Sequence, residues 1–138
     1  MMTLSEKLER GRKRFVDGAP KLVREMTQQA TRYFKNDVFR KEGFDVNPGS
    51  KRWAKRVNES KRTTRILIGE KNGGKMRRSI RGSSTGTRGV VQSDVPYARW
   101  HQEGTPNMTQ RKFLGESEIL NRKFSKKIVR AIQKALEG

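Results

Sequence analysis

The stretch SIRGSSTGTRGVVQS, from Ser79 to Ser93, is the clearest indication of fold class in this sequence. Its centre, Ser-Thr-Gly-Thr at residues 84–87, is typical of a tight turn between two antiparallel strands. The run GVVQS after this turn has the composition of a returning strand. We therefore expect a small β-hairpin within a chain of 138 residues, a length that suits a single domain.

Helical patterns precede the hairpin. Ser5 suits the N-cap of a first helix, which we expect to end at the segment DGAP (17–20). Pro20 then suits the first turn of a second helix, where its missing N–H costs little. The second helix is predicted from an apolar stripe with spacings of three or four residues, formed by Leu22, Met26, Ala30, Tyr33 or Phe34, and Val38.

A short helical turn and a long final helix are predicted after the hairpin. The turn opens at Asp94 or Pro96 and closes at Gly104, and RKFLG (111–115) reads as an extended piece. Ser117 suits the N-cap of the last helix. Its apolar stripe consists of Leu120, Phe124, Ile128, Ile132 and Leu136.

This order of elements predicts an α+β fold, in which N-terminal helices and a C-terminal helix pack on a small antiparallel sheet. The whole chain, residues 1–138, is expected to be one domain. The predicted core consists of Leu22, Met26, Ala30, Phe34, Tyr97, Phe113, Leu114, Leu120, Phe124, Ile128 and Ile132.

The segment before the hairpin is basic and rich in turn-forming residues. Phe44 and Trp53 are the expected apolar anchors that flank a turn at Asn-Pro-Gly-Ser (47–50), and a flexible basic loop is expected around residues 45–65. We expect its Lys51–Arg65 part to be mobile in the free subunit. Farther along, RILIG (65–69) is β-prone, and GKMRRSI (74–80) predicts either a helical turn or the start of a strand.

The net charge is +19, from 33 Lys and Arg against 14 Asp and Glu. From Ser50 to Arg88 there are thirteen basic and two acidic residues, so 13 − 2 = +11 of this excess lies in the central segment. Such a charge favours contact with a polyanion or an acidic protein surface, although a merely solvated basic loop would give the same count. The expected contact residues are Lys75, Arg77, Arg78, Arg81 and Arg88.

No aromatic residue lies between Trp53 and Tyr97, so this segment has no aromatic side chain to stack on bases. A DNA contact here should therefore be made to the backbone and be independent of sequence.

Several functional classes find little support. The chain has no cysteine, so disulfides and thiolate metal sites are excluded. No apolar run has the length of a membrane helix, and the N-terminus lacks the apolar core of a signal peptide, which indicates assembly in a cytoplasm. The glycine-bearing segments match no phosphate-loop motif. We expect no cofactor, no metal and no small-molecule substrate.

The only histidine, His101, invites a catalytic interpretation. A histidine base needs an orienting partner, and a nuclease of this kind needs a second histidine or closely placed acids. The nearest acids are Glu103, two residues away, and Asp94, seven away. We therefore expect a non-enzymatic protein in which the His101 ring bonds a backbone or side-chain group in a turn.

Two blocks near the C-terminus resemble the phage virion-morphogenesis family, the Mu-like tail-completion or head–tail joining proteins of tailed phages and prophages. The first block, YARWHQEG, matches at Tyr97, Ala98, His101, Gln102 and Gly104. The second, RKFLG, matches at Arg111, Phe113, Leu114 and Gly115.

The resemblance extends upstream from the blocks to about Gln28. Phe39 and Gly43 match a helix end, Trp53 matches a tryptophan in a basic stretch, and Met76 replaces a leucine of the family in GKMRRSI. Thr109 and Gln110 stand where the family has Pro-Ala, a departure that concerns the conformation of that loop.

The resemblance implies a structural component of the virion neck or tail, assembled in the host bacterial cytoplasm. Its implied partners are copies of itself, in a ring, and neighbouring connector or tail proteins, with its basic face near packaged DNA. His101 and Gln102 would then hold a turn after the sheet. The alternatives are a free, non-specific DNA-binding protein and, as a third option, a nuclease that depends on His101.

Overall fold

The computed structural model describes residues 1–46, 52–54, 75–106 and 109–138. Helix α1 runs from Leu4 to Arg32. A π-helical segment, Tyr33–Asp37, and a short helix α2, Val38–Lys41, continue it without a break. Glu42 ends this helical run in the left-handed conformation, with φ of 51°.

The predicted break at residues 17–20 is wrong, because Pro20 lies inside α1. A proline inside a helix removes one backbone hydrogen bond and costs about 3 kcal/mol. Helix α5 (Glu118–Glu137) packs along α1 on both sides of this point. Arg14 donates to the carbonyl of Ala135 at 3.2 Å, and Glu25 pairs with Lys127 at 3.6 Å. Packing against α5 thus offsets the cost of Pro20.

The expected N-cap at Ser5 is also wrong, because Thr3 caps α1. The Thr3 hydroxyl accepts from the Glu6 N–H at 3.2 Å, and the Glu6 carboxylate accepts from the Thr3 N–H at 2.8 Å. This reciprocal pair is a capping box, which satisfies two N–H groups at once and so places the start of the helix before Ser5.

The hairpin is confirmed. Strand β1 (Arg81–Thr85) pairs antiparallel with β2 (Arg88–Gln92), and the turn Gly86–Thr87 lies within the predicted segment. A one-turn helix α3 (Lys75–Arg78) precedes it, as the helical alternative for GKMRRSI predicted. The α+β class is therefore correct, with two strands forming the sheet in the part of the chain that the structure describes.

The hairpin lies directly against α1 because the face it turns to the helix has glycines. A Cβ atom on Gly82 would lie 2.0 Å from the Thr31 hydroxyl oxygen, and one on Gly89 would lie 1.9 Å from that of Thr27. Real Cβ atoms do not approach so closely. The register pairs Ser84 with Gly89, so these small residues share the face that meets α1.

Helix α4 (Ala98–Glu103) follows the hairpin and ends at Gly104, as predicted. Ser117 caps α5, since its hydroxyl accepts from the Leu120 N–H at 3.1 Å. Residues 111–115 between these helices form no helix or strand.

The core lies where the end of α1, the π-helical segment and α2 meet Trp53, α3, and residues 95–98 and 113–120. Four predicted core residues are buried, namely Ala30, Phe34, Phe113 and Leu120. Six more are half-buried, namely Leu22, Met26, Tyr97, Leu114, Phe124 and Ile128. The prediction of Ile132 is wrong, since its side chain is 41% exposed. The half-buried and buried apolar positions nearby on α5 are Ile128, Ala131 and Ala135, and Ile132 lies at the edge of that stripe.

Core residues that the apolar stripes did not identify come from short segments. They are Phe39, Trp53, Met76, Ile80, Val95 and Ala98. Trp53 is thus the anchor that the sequence predicted, and Phe44 is half-buried against the core. The rest of the expected flexible segment 45–65, beyond residues 45, 46 and 52–54, and the β-prone run 65–69 lie outside the described residues.

No helix in the described ranges has the length and apolar composition needed to cross a membrane.

Candidate functional site

Gln102 joins the two sequence blocks that resemble the phage family. Its side-chain oxygen accepts from the N–H of Phe113 at 3.0 Å and from the N–H of Leu114 at 3.1 Å. Its side-chain nitrogen donates to the Leu114 carbonyl. One amide thus satisfies three backbone groups in a segment that has no secondary structure of its own. We call this arrangement, formed by Gln102, Phe113 and Leu114, the Gln102 clamp.

A second set of bonds attaches the Trp53 segment to the same place. The indole N–H of Trp53 donates to the Lys112 carbonyl at 2.8 Å, and the Arg111 guanidinium donates to the Ala54 carbonyl at 2.9 and 3.0 Å. The Arg111 backbone N–H donates to the His101 carbonyl at 2.8 Å. The second block therefore lies between α4 and the Trp53 segment and holds both.

Asp45 forms a polar network that the sequence did not reveal. Its carboxylate accepts from the Tyr33 hydroxyl, from the Ser117 hydroxyl, and from the Glu118 N–H at 2.8 Å. Burial, and then the bond to Asp45, raises the pKa of Tyr33 to about 12, so the hydroxyl stays protonated and donates at neutral pH. Asp45 is 72 residues from Ser117, so no local pattern could have indicated this contact.

The other block residues have structural surroundings too. Tyr97 packs at the edge of the core, and Ala98 is buried. Gly104 has φ of 78°, in the left-handed region that glycine adopts at little cost, and it ends α4. A Cβ there would lie 3.1 Å from Gln110. Gly115, with φ of 148°, lies beside the Lys112 side chain.

His101 is half-buried, and its ring meets Tyr97 edge-on with centroids 6.3 Å apart. Its Nδ1 atom is buried and has no hydrogen-bond partner among the described residues, so any ring bond of the expected kind would have to come from Nε2. Burial lowers the pKa of His101 below 6.5, and the charge of Arg111 lowers it further. Packing and the backbone carbonyl, rather than Nδ1, place this residue in the turn.

The acids nearest His101 in the sequence pair elsewhere. Glu103 pairs with Arg99 at 3.1 Å, and Asp94 pairs with Arg81. Among the described residues no three histidines, aspartates or glutamates lie together in a group that could hold a metal ion. The described surroundings of His101 therefore offer neither a paired carboxylate nor a metal ligand set.

The five residues of the predicted basic cluster lie on two elements. Lys75, Arg77 and Arg78 lie on α3, whereas Arg81 and Arg88 lie at opposite ends of the hairpin. Arg77 is held internally, because its guanidinium donates to the Asn36 side chain at 3.1 Å and to the Lys35 carbonyl at 3.5 Å. The structure therefore brings α3 close to the π-helical segment but separates Arg88 from the other basic residues.

Comparison with known proteins returned no match, whether against family models, curated proteins or solved structures.

Proposed function

We propose that this chain is a structural virion-assembly protein of a tailed phage or prophage, acting at the neck in tail completion or head–tail joining. The observation that carries the proposal is the Gln102 clamp. The residues that resemble the phage family are engaged in backbone hydrogen bonds and core packing, as in a fold-defining element. Function then belongs to the surfaces of the subunit, and the protein performs no reaction.

Subunit contacts are the first of these surfaces. Large apolar side chains are exposed on the first half of α1 and the second half of α5, two regions that lie side by side where Leu136 covers Gly11. They are Leu4, Leu8, Val16, Val129, Ile132 and Leu136. Burying such side chains between subunits is favourable by about 25 cal/mol per Å². We propose that this region meets a second copy in a ring or a neighbouring connector or tail protein.

The second of these surfaces is defined by its positive charge. Lys75, Arg78 and Arg81 are exposed on α3 and at the adjoining start of the hairpin, Arg77 is half-buried beside them, and Arg88 is exposed at the hairpin turn. In the proposed neck these basic residues face packaged DNA or an acidic neighbour.

The test is electron microscopy of induced lysates from a lysogen that lacks this gene. We expect DNA-filled heads separated from tails, and whole virions once the gene is supplied in trans. Intact infectious particles from the deletion would overturn the proposal. A deletion complemented by the same gene with a stop codon serves as the control for expression effects.

The rival function is a free, non-specific DNA-binding protein, favoured by a net charge of +19. It predicts intact particles from the deletion lysogen together with salt-dependent binding of DNA by the purified chain. The appearance of particles in the deletion lysate therefore distinguishes the joining function from free DNA binding.

A further inference from the structure

A groove runs between α1 and β1, on the side of the helix where the hairpin packs. Its volume is about 430 Å³, and it is lined by Arg24, Thr27, Gln28, Thr31, Arg32, Gly82 and Ser84. We call it the α1–β1 groove. None of the five basic residues singled out from the sequence lines it.

The lining is rich in hydrogen-bond donors and contains no acid. Arg24 and Arg32 contribute two guanidinium groups, and Gln28 and Ser84 add an amide and a hydroxyl. Thr31 turns its hydroxyl proton away, since it donates to the Thr27 carbonyl at 2.7 Å. Two fixed positive charges with neutral donors between them form an environment for an anion with several acceptor oxygens.

These groups are not used within the described part of the chain. The side chains of Arg24, Gln28, Arg32 and Ser84 form no hydrogen bond or ion pair there. By contrast, Arg12, Arg40, Arg81, Arg99 and Arg122 each pair with a carboxylate. Arg24 and Arg32 therefore keep their full donor capacity for a ligand.

The spacing indicates a linear polyanion rather than one small ion. Arg24 and Arg32 are eight residues apart on a continuous helix, which corresponds to about 12 Å at 1.5 Å per residue. Because their attachment points are separated along the groove, the two guanidinium groups match the successive charges of an extended anion better than a single small ion. A duplex carries a phosphate every 3.4 Å of axis on each strand, so its backbone offers a charge to each arginine at once.

We propose that the α1–β1 groove binds the phosphodiester backbone of duplex DNA, with Arg24 and Arg32 each contacting a phosphate and Gln28 and Ser84 donating between them. The contact is independent of base sequence, because no aromatic side chain lines the groove. This site deepens the DNA contact of the proposed function and rests on it only for its biological setting.

The experiment measures binding of the purified full-length chain to a fluorescent random duplex of about 20 base pairs, at salt from about 50 to 200 mM. The groove variant is Arg24→Gln with Arg32→Gln. The matched control is Arg10→Gln with Arg130→Gln, which removes the same charge from exposed arginines outside the groove. Circular dichroism melting verifies that both variants fold.

We expect the groove variant to lose on the order of tenfold in affinity, and its slope of log K against log salt to become about 2 units shallower. The control should change the slope by clearly less. A variant Ser84→Ala should weaken binding slightly with no change in slope, because it removes a neutral donor.

Equal losses in the groove and control variants would overturn the site, since binding would then be diffuse. Tight binding of inorganic phosphate alone, or poly-glutamate in place of DNA, would overturn the identity of the ligand. The deletion lysate tests the joining function independently of these binding measurements. Separated heads and tails with an unaffected groove variant would reject the groove and leave the joining function in place.

Discussion

At the scale of single residues, a few polar side chains hold segments that have no secondary structure. Gln102 forms hydrogen bonds with three backbone groups of Phe113 and Leu114. The Asp45 carboxylate accepts from the hydroxyls of Tyr33 and Ser117 and from the first N–H of α5. Because the backbone groups they pair are partly buried, loss of either side chain leaves polar atoms without water or a partner.

Gln102→Ala should lower the free energy of unfolding by about 1–3 kcal/mol, since it leaves the N–H groups of Phe113 and Leu114 unpaired. Urea denaturation followed by tryptophan fluorescence would measure the change. Gln110→Ala is the matched control, because Gln110 makes one exposed bond, to the Gln102 carbonyl at 3.0 Å, and should cost less than about 0.5 kcal/mol. Equal effects would contradict the importance of the clamp.

His101 should make stability depend on pH. Burial, and then Arg111, lower its pKa in the folded protein below 6.5, so the unfolded chain binds the proton more readily. Stability is therefore complete above about pH 7 and falls as the pH drops below 6.5 toward the folded pKa. Urea midpoints from about pH 7.5 to 5.5 should decline in the wild type and stay flatter in His101→Phe.

A direct measurement is available because the chain has one histidine. Its imidazole proton resonances in the folded protein should titrate below 6.5, and a midpoint at or above that value would contradict the assigned burial.

At the scale of elements, small residues determine how the hairpin meets α1. Gly82 and Gly89 allow the strands to approach Thr31 and Thr27 at distances that a Cβ would forbid. The hairpin has only two strands, and such a pair is marginally stable alone, so this packing is what supports it.

Gly82→Ala should destabilise the protein by about 1–3 kcal/mol, because its Cβ would overlap the Thr31 hydroxyl. Thr31→Ala removes that hydroxyl, so the double variant should recover part of the loss, with a coupling of about 1 kcal/mol in a double-mutant cycle. Thermal melting gives all four values.

Gly18→Ala is the matched control for that cycle. Gly18 lies within α1 and its Cβ would meet no atom within 4 Å, so this change should stabilise the protein by about 0.5–1 kcal/mol. A loss at Gly18 as large as that at Gly82 would contradict the clash as the cause, since alanine is the better helix former and no atom opposes a Cβ at Gly18.

At the scale of the whole molecule, α1 and α5 form a helix pair whose outer half carries exposed apolar side chains, while the core gathers at the other end. Val129 is 52% exposed and Ile132 is 41% exposed, on the same side of α5 at a spacing of three residues. The isolated subunit gains little from side chains in such positions.

Val129→Gln with Ile132→Gln should leave the thermal midpoint of the subunit nearly unchanged, with a cost below about 1 kcal/mol, yet prevent assembly. Complementation of the deletion lysogen, scored as joined particles by electron microscopy, is the measurement. The control is Lys123→Gln with Lys126→Gln on the exposed polar side of α5. Full joining by the apolar variant would reject this surface as a subunit contact.

Local patterns in the sequence determined the hairpin, the Ser117 cap, the end of α4 at Gly104 and the burial of Trp53 and Phe113. Each depends on residues near one another in the chain or on strong apolarity. The family resemblance of the two blocks also implied a structural role for Gln102 and His101 in a turn; what the structure shows is Gln102 bonded to the backbone of Phe113 and Leu114.

Only the tertiary structure decided the rest, because it depends on residues far apart in the chain. Helix α1 continues past Pro20 because it packs against α5, although the local sequence predicted a break there. The buried face of α5 includes Ala131 and Ala135 and leaves Ile132 exposed, although the spacing of Ile132 fits the predicted stripe. Asp45 bonds Ser117, which is 72 residues away in the sequence. The α1–β1 groove forms only where two strands that contain glycines pack against one helix. Periodicity describes one element at a time, whereas such contacts arise from the free energy of all the elements together.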